Sequence, residues 1–419
     1  MTQPPGLRAG LALLREPDIA RLVAARLVSA FGTAMAPVAM AFGVLEITGS
    51  ARLVGVVIAS QTAAQLAVQL FGGALADRWS RRRQMVGADL LAAAAQCAMA
   101  WLLLNPSGEI WPLAVLMAVN GVGFAFHWPA AVGIVPQVAP AEQLQPTNAL
   151  LSLAQSAAFG LGGACAGIIV AFAGAGWAIA VDAGTFAVSA LLIASLRPRD
   201  QERSAPSSLL RELREGWREF SSHRWLWAIV LQFSVLVAAW SGGFVIVGPV
   251  VAERSLGGAA AWAWVAGAFG AGLLAGGLLA MRITLRRPMF VATWCCFLFA
   301  LPLLLLAGTA PLGWIAAGAF LAGVGGEMFG VLWNTALHTH VAPEALSRVS
   351  AYDIMGSMAL APLGEALAGP LVEWIGAPPT LLLGAALIAL PTLAVLGVRE
   401  VRTLGTTPAA GGGRSPLAR

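Results

Sequence analysis

The chain has 419 residues, of which 58% are hydrophobic and only 11% charged, with a formal net charge of +5 and a mean hydropathy of +0.79. Soluble domains carry about 25% charged residues, so these charges are too few to cover a water-soluble surface and a soluble globular protein is excluded. Repeated apolar runs of about 20 residues match the hydrocarbon thickness of a bilayer, which predicts an all-α polytopic membrane protein.

Taken in chain order, residues 1–18 form a polar N-terminal segment with no evident cleavable signal peptide. A first bundle, 19–196, holds predicted spans near 19–46, 50–76, 84–104, 109–135, 145–172 and 176–196. A polar linker, 197–224, starts Pro/Ser-containing and then carries Leu209, Leu210, Leu213, Trp217 and Phe220 on one side of a helix, the pattern of an amphipathic helix lying on the inner membrane surface. A second bundle, 225–398, holds spans near 225–251, 258–281, 288–309, 312–337, 349–373 and 378–398. The tail, 399–419, reads as disordered. Cys97, Cys165, Cys295 and Cys296 all fall inside apolar spans and show neither metal-site nor disulfide spacing.

All 25 basic residues are arginine. With both termini cytoplasmic, only Arg52 and Arg254 fall outside and Arg26 falls within the first span; every other arginine is cytoplasmic. This asymmetry orients the chain and explains its basic pI without nucleic-acid binding.

The two halves echo each other at an offset of about 204 positions: "GGALADRW" (72–79) with "GGLLAMRI" (276–283), and "FHWPAAVGIVPQVAPAEQL" (126–144) with "VLWNTALHTHVAPEALSR" (331–348). Six-plus-six parallel repeats are a transporter signature, with binding at the interface of the halves. The first of these stretches resembles the loop between helices two and three of the major facilitator superfamily, Gly-x-Leu-x-Asp-Arg-x-Gly-Arg-Arg. Gly73, Leu75, Asp77, Arg78, Arg81 and Arg82 match it, and Ser80 stands where that family has glycine. Later segments, "LQPTNALLS" and "LSRVSAYDIMGS", look like the bacterial branch containing the enterobactin exporter and macrolide-type efflux proteins.

The resemblance implies the major facilitator fold, with twelve transmembrane helices in two six-helix pseudo-repeats. It also implies a conformational latch made of Gly73, Asp77, Arg78, Arg81 and Arg82, for which Arg348 is a candidate partner; Met281 replaces the acid in the second copy. Span four lacks the arginine that many drug/proton antiporters of the superfamily carry.

Ionisable residues within a span are costly to insert, at roughly 2.5–3.5 kcal/mol each, so each invites a functional reading. Glu327, flanked by glycines in span ten, and Glu365, three residues after a proline in span eleven, are candidates for proton coupling or substrate binding, since a desolvated carboxyl favours its neutral form. A structural hydrogen bond is the other reading for both. Arg26 and Asp89 could pair across the first bundle. Gln61, Gln65 and Gln69 form one polar stripe on span two, facing either a cavity or another helix. His127, Trp128, Trp333 and Asn334 lie near the inner ends of spans four and ten, as cavity residues or interfacial anchors. Asp182 and Glu46 are placed near the outer surface, solvated or capping, and Asp353 at the start of span eleven, capping or supporting the latch. His338 and His340 are placed in a loop, without a third ligand for a metal.

Without a Walker loop, ATP-driven export is not expected. Nor are the histidines grouped with a nucleophile as a membrane-embedded enzyme would require, so no catalytic residue is assigned. The expected function is secondary active transport by alternating access: proton-coupled efflux of a drug, macrolide or siderophore-like molecule across the bacterial inner membrane. An uptake carrier for a nutrient or lysolipid would share the same features. The expected partners are a small-molecule substrate, protons and the lipid bilayer; no cofactor is expected, and the protein is expected to be a monomer.

Overall fold

The computed structural model describes residues 13–76, 80–106, 108–199, 209–283, 285 and 287–404. Twelve helices among them are long and apolar enough to cross a membrane. In the first half these are α1 (Pro17–Thr48), α2 (Ala51–Ala76), α3 (Arg81–Leu104), α4 (Trp111–Gly133), α5 (Leu144–Ala173) and α6 (Ala175–Ala194). The linker forms α7 (Leu209–Ser222). The second half comprises α8 (Arg224–Leu256), α9 (Ala259–Arg282), α10 (Pro288–Ala307) and α11 (Leu312–His340). A broken span follows, made of α12 (Pro343–Met358) and α13 (Ala361–Ile375), and then α14 (Ala377–Leu396). These bounds agree with the spans read from hydropathy to within a few residues.

Local chemistry sets the ends. Pro17 opens α1, where its missing N–H is not needed. Ser80 caps α3, its side chain accepting from the backbone N–H of Arg83 at 3.4 Å. The guanidinium of Arg81 donates to the carbonyl of Gly133 at the end of α4, and Arg82 donates to that of Leu196, just past α6, at 2.9 Å. Arginine at these helix C-termini supplies donors to orphan carbonyls and complements the helix dipole.

The inferred repeat recurs in the backbone. One glycine joins α5 to α6 and another joins α13 to α14: Gly174 (φ 93°, ψ 163°) and Gly376 (φ 88°, ψ 164°). Each donates its N–H, at 3.0 Å, to the carbonyl of a valine four residues back, Val170 and Val372 respectively. That backbone region is open essentially to glycine alone.

The halves meet at the face opposite the arginine-rich loops. There α5 crosses α9, and a Cβ at Gly160 would lie 3.1 Å from the carbonyl oxygen of Gly270. On the other side of the molecule α2 packs on α13, with Gly55 against the backbone carbonyl of Glu365 and Gly369 against Arg52; Ser50 donates to Glu373 at 3.1 Å. Small residues allow this backbone approach within a bilayer. Exposed Trp101, Trp111, Trp177, Trp264, Trp314 and Trp374 all sit at span ends on this same face, as interfacial anchors do.

The linker helix docks on the second half. Phe220 is buried, Trp217 and Phe220 ring-pack with Tyr352 of α12, and Gly216 lies against Arg348 and Tyr352. The side chains of Leu209, Leu210 and Leu213 lie outside the described residues.

Candidate functional site

Five helices of the first half enclose a cavity. Its polar lining comes from Arg26, Ser29 and Thr33 of α1, Asp89 of α3, Asn120 and His127 of α4 and Gln155 of α5. Its apolar walls include Phe124 and Trp128 of α4, Phe159 of α5 and Phe186 of α6. Helical spacing gathers them: 26, 29 and 33 share a face of α1, as do 120, 124, 127 and 128 on α4, and 155 and 159 on α5. Exposed Phe159 precedes Gly160, so this wall of the cavity adjoins the crossing between the halves.

Arg26 and Asp89 do not pair with one another. Asp89, with a side chain only 2% exposed, has its Oδ1 2.8 Å from Nδ1 of His127, close enough for an ion pair although off the line of a hydrogen bond. The guanidinium of Arg26 lies instead over the Trp128 ring, 4.9 Å from its centre, a cation–π contact. His127 takes the acid because it projects from α4 directly onto α3. The sequence shows that each charge needs a partner, but not which neighbour supplies it.

The glutamine stripe is half-buried. Gln61 donates to Oδ1 of Asn120 at 3.3 Å, joining α2 to α4, and Gln65 lies one turn further along the same face.

Glu365 is buried at the seam between the halves. The hydroxyls of Thr62 on α2 and Ser241 on α8 approach its carboxyl group, and Oε2 is enclosed without a hydrogen bond. Ser241 opens a π-helical stretch, Ser241–Val247, the kind of irregularity that gathers at functional sites. Glu327 stands apart from both places, half-buried on α11 with its stem against Gly276 and Gly277 of α9.

Several expectations are corrected. Trp333 does not line the first-half cavity and is no exposed anchor: it is buried, stacks on Phe329 and donates from Nε1 to Oδ2 of Asp353 at 2.8 Å. Asp353 therefore does not cap a helix; it lies inside α12, where Ser357 also donates to it at 3.3 Å. Asn334 is exposed, its amide bonded to the carbonyl of Gly330 at 2.9 Å within α11, away from the first-half cavity. Asp182 is neither solvated nor capping but fully buried, accepting from Gln96 and Thr185. His338 and His340 belong to the last turn of α11 rather than to a loop, and no cluster of metal-ligating side chains occurs among the described residues.

Of the latch residues, Asp77 and Arg78 lie outside the described residues. Gly73 is in α2, Arg81 and Arg82 cap helices of their own half, and Arg348 packs against α7. The sequence reading missed Asn120, Gln155 and the phenylalanine walls; the i, i+4, i+8 mixture of polar and aromatic residues on α4 was the available signal.

The sequence model of the Major Facilitator Superfamily matches residues 22–364. Macrolide efflux protein A of Streptococcus pyogenes is 24% identical over 398 residues, covering 91% of this chain and 96% of that protein. Multidrug efflux pump Tap of Mycobacterium tuberculosis is 27% identical over 403 residues, covering 92% and 94%. Among solved structures, the nucleoside transporter NupG superposes with a TM-score of 0.69 at 13% identity, covering 90% of this chain and 98% of that one. A bacterial homologue of the human lysosomal transporter Spinster, captured inward-facing and unoccupied, gives 0.67 at 16% identity, covering 92% and 98%.

Proposed function

Because the chain belongs to the major facilitator superfamily, a family of membrane transporters and not of enzymes, we propose that it exports a small organic molecule across the bacterial inner membrane in exchange for protons. The arginine-rich loops and both termini face the cytoplasm, the proton gradient is the driving force, no cofactor takes part, and the protein works as a monomer. Two relatives named for efflux align over nearly their whole lengths, which favours export as the direction.

The observation that carries this reading is the group Arg26, Asp89, Asn120, His127 and Trp128, gathered around one cavity within the first-half bundle. Isolated polar groups at this depth are expensive, and here they line space rather than fill it. The halves touch on the opposite face, so the cavity is served from the arginine-rich side, as loading from the cytoplasm requires. Glu365 is the preferred coupling acid: it lies between elements of the two halves, where closing the seam excludes water from the carboxyl and opening it restores water. Its protonation state and the seam are thereby linked. Glu327 is the second candidate. The stretch from Gly73 to Arg82, with Arg348, serves as the latch at the cytoplasmic face.

Everted membrane vesicles from an efflux-deficient host test the proposal. They should accumulate a compound found by susceptibility screening when acidified inside, and lose it when the gradient is collapsed. Accumulation of that compound by intact cells instead would sink export. Glu365→Gln should abolish the gradient-driven component while leaving substrate exchange in place; unimpaired gradient-driven transport in this variant would exclude Glu365 as the coupling acid.

A further inference from the structure

The reading above leaves the substrate open, and the charge distribution in the first-half cavity narrows it. We propose that the cavity takes an amphipathic organic anion: a hydrophobic ring system bearing one carboxylate or a comparable acidic oxygen group. The proposal rests on the transporter reading and specifies its cargo.

Three charged or titratable side chains line the space: Arg26, Asp89 and His127. The negative one is out of reach, since the Asp89 side chain is 2% exposed and lies against His127, itself 12% exposed. The positive one is within reach. Arg26 is only partly buried, rests on the face of Trp128, and among the described residues has no carboxylate within ion-pair distance and no hydrogen-bond acceptor. With Asp89 ionised, the three groups sum to zero when His127 is neutral and to +1 when it is protonated. Asp89 also acts on the guanidinium through space, and its Oδ2 is enclosed without a partner; what separates the two charges is access, the carboxylate being sealed in while the guanidinium borders open space.

The neutral polar groups agree. Asn120 is 4% exposed; its Oδ1 already accepts from Gln61, while its Nδ2 is buried without any partner. A buried donor left unmade is costly, and a ligand oxygen would satisfy it. Arg26 thus offers the accessible donors, and the enclosed Asn120 amide beside it would add another on turning towards the space; together they are the hydrogen-bond complement of a carboxylate. Around them stand Phe124 and Trp128, stacked with ring centres 6.0 Å apart, together with Phe159 and Phe186, flat apolar walls for a ring system. A guanidinium held on an indole is also pre-positioned, so less side-chain entropy is lost when it is engaged.

The test uses purified full-length protein in lipid nanodiscs and two matched sets of ligands that differ only in the polar group: naphthylacetate, naphthylacetamide and naphthylethylamine, and indoleacetate, its amide and tryptamine. Equilibrium binding should favour the acid of each set over its amide and amine by about tenfold or more, as expected for a charge-assisted pair shielded from water. Arg26→Gln should bring the three members to within about threefold of one another, and Arg26→Lys should restore part of the preference.

Binding of no acid, tighter binding of the amines, or a ranking unchanged by Arg26→Gln would each overturn the proposal; the ranking in the unaltered protein decides even if a variant fails to fold. The same ligands are offered to proteoliposomes under a pH gradient. Movement of amines or neutral compounds, unaffected by Arg26→Gln, would overturn the anion while leaving the transporter intact. Acid-selective binding that depends on Arg26, with no ligand moved under any gradient, would uphold the anion and remove the transporter reading.

Discussion

At the scale of single residues, two tryptophans at corresponding places in the repeat have diverged in role. Trp128 lies on the cavity wall under Arg26, whereas Trp333 holds the buried Asp353 in the second half. Trp333→Phe is expected to leave a carboxylate oxygen enclosed without its donor, at a cost of about 1–3 kcal/mol, lowering the melting temperature in detergent while transport by the folded fraction persists. Trp128→Leu is expected to do the reverse, weakening ligand binding with little loss of melting temperature. Equal effects of the two changes on both readouts would erase the distinction. From sequence alone the pair looked alike, because depth along a helix can be counted from the span end but the side to which a residue points cannot. Asp182 was misplaced for the same reason: few residues separate it from the start of α6, yet it points inward to Gln96 rather than out to water.

At the scale of elements, the twelve spans were legible because hydropathy reports directly on which segments lipid accepts. The corners and irregularities were not. The π-helical stretch in α8 has the same composition as a regular helix and differs only in which carbonyl each N–H reaches. The glycine corners carry the sharper prediction. Gly174→Ala and Gly376→Ala should each destabilise the protein by about 1–3 kcal/mol, because the carbonyl-bonded corner forces a backbone geometry that a Cβ opposes. Gly87→Ala, in mid-α3 with no atom near the added methyl, should be neutral or slightly stabilising. Thermal unfolding of the three variants checks this; a corner substitution as mild as Gly87→Ala would contradict it.

At the scale of the whole molecule, the proposed alternating access requires the seam between the halves to open. The repeat and its polar loop pointed to two rocking bundles, but not to the contacts joining them, since pairs such as Gly163 and Ala266 are remote in sequence and ordinary in type. A Cβ at Gly163 would lie 3.2 Å from that of Ala266, near the spacing of a disulfide. With the native cysteines replaced, the double variant Gly163→Cys, Ala266→Cys should form a cross-link under oxidation, halt transport, and recover it on reduction. Continued transport by the fully cross-linked protein would mean that α5 and α9 do not separate during the cycle.

The single-glycine corners also bear on how the molecule meets its surroundings. On that face Gly174 and Gly376 each close a pair of spans with one residue, and α1 and α8 pass to the next span almost as abruptly. Very little chain stands clear of the lipid there, so an antibody, a phage or a protease approaching from that side would find scant purchase. The connection between Leu104 and Trp111 is the longest on that face, and an epitope grafted there should, under the proposed orientation, be bound by antibody in spheroplasts and hidden in everted vesicles.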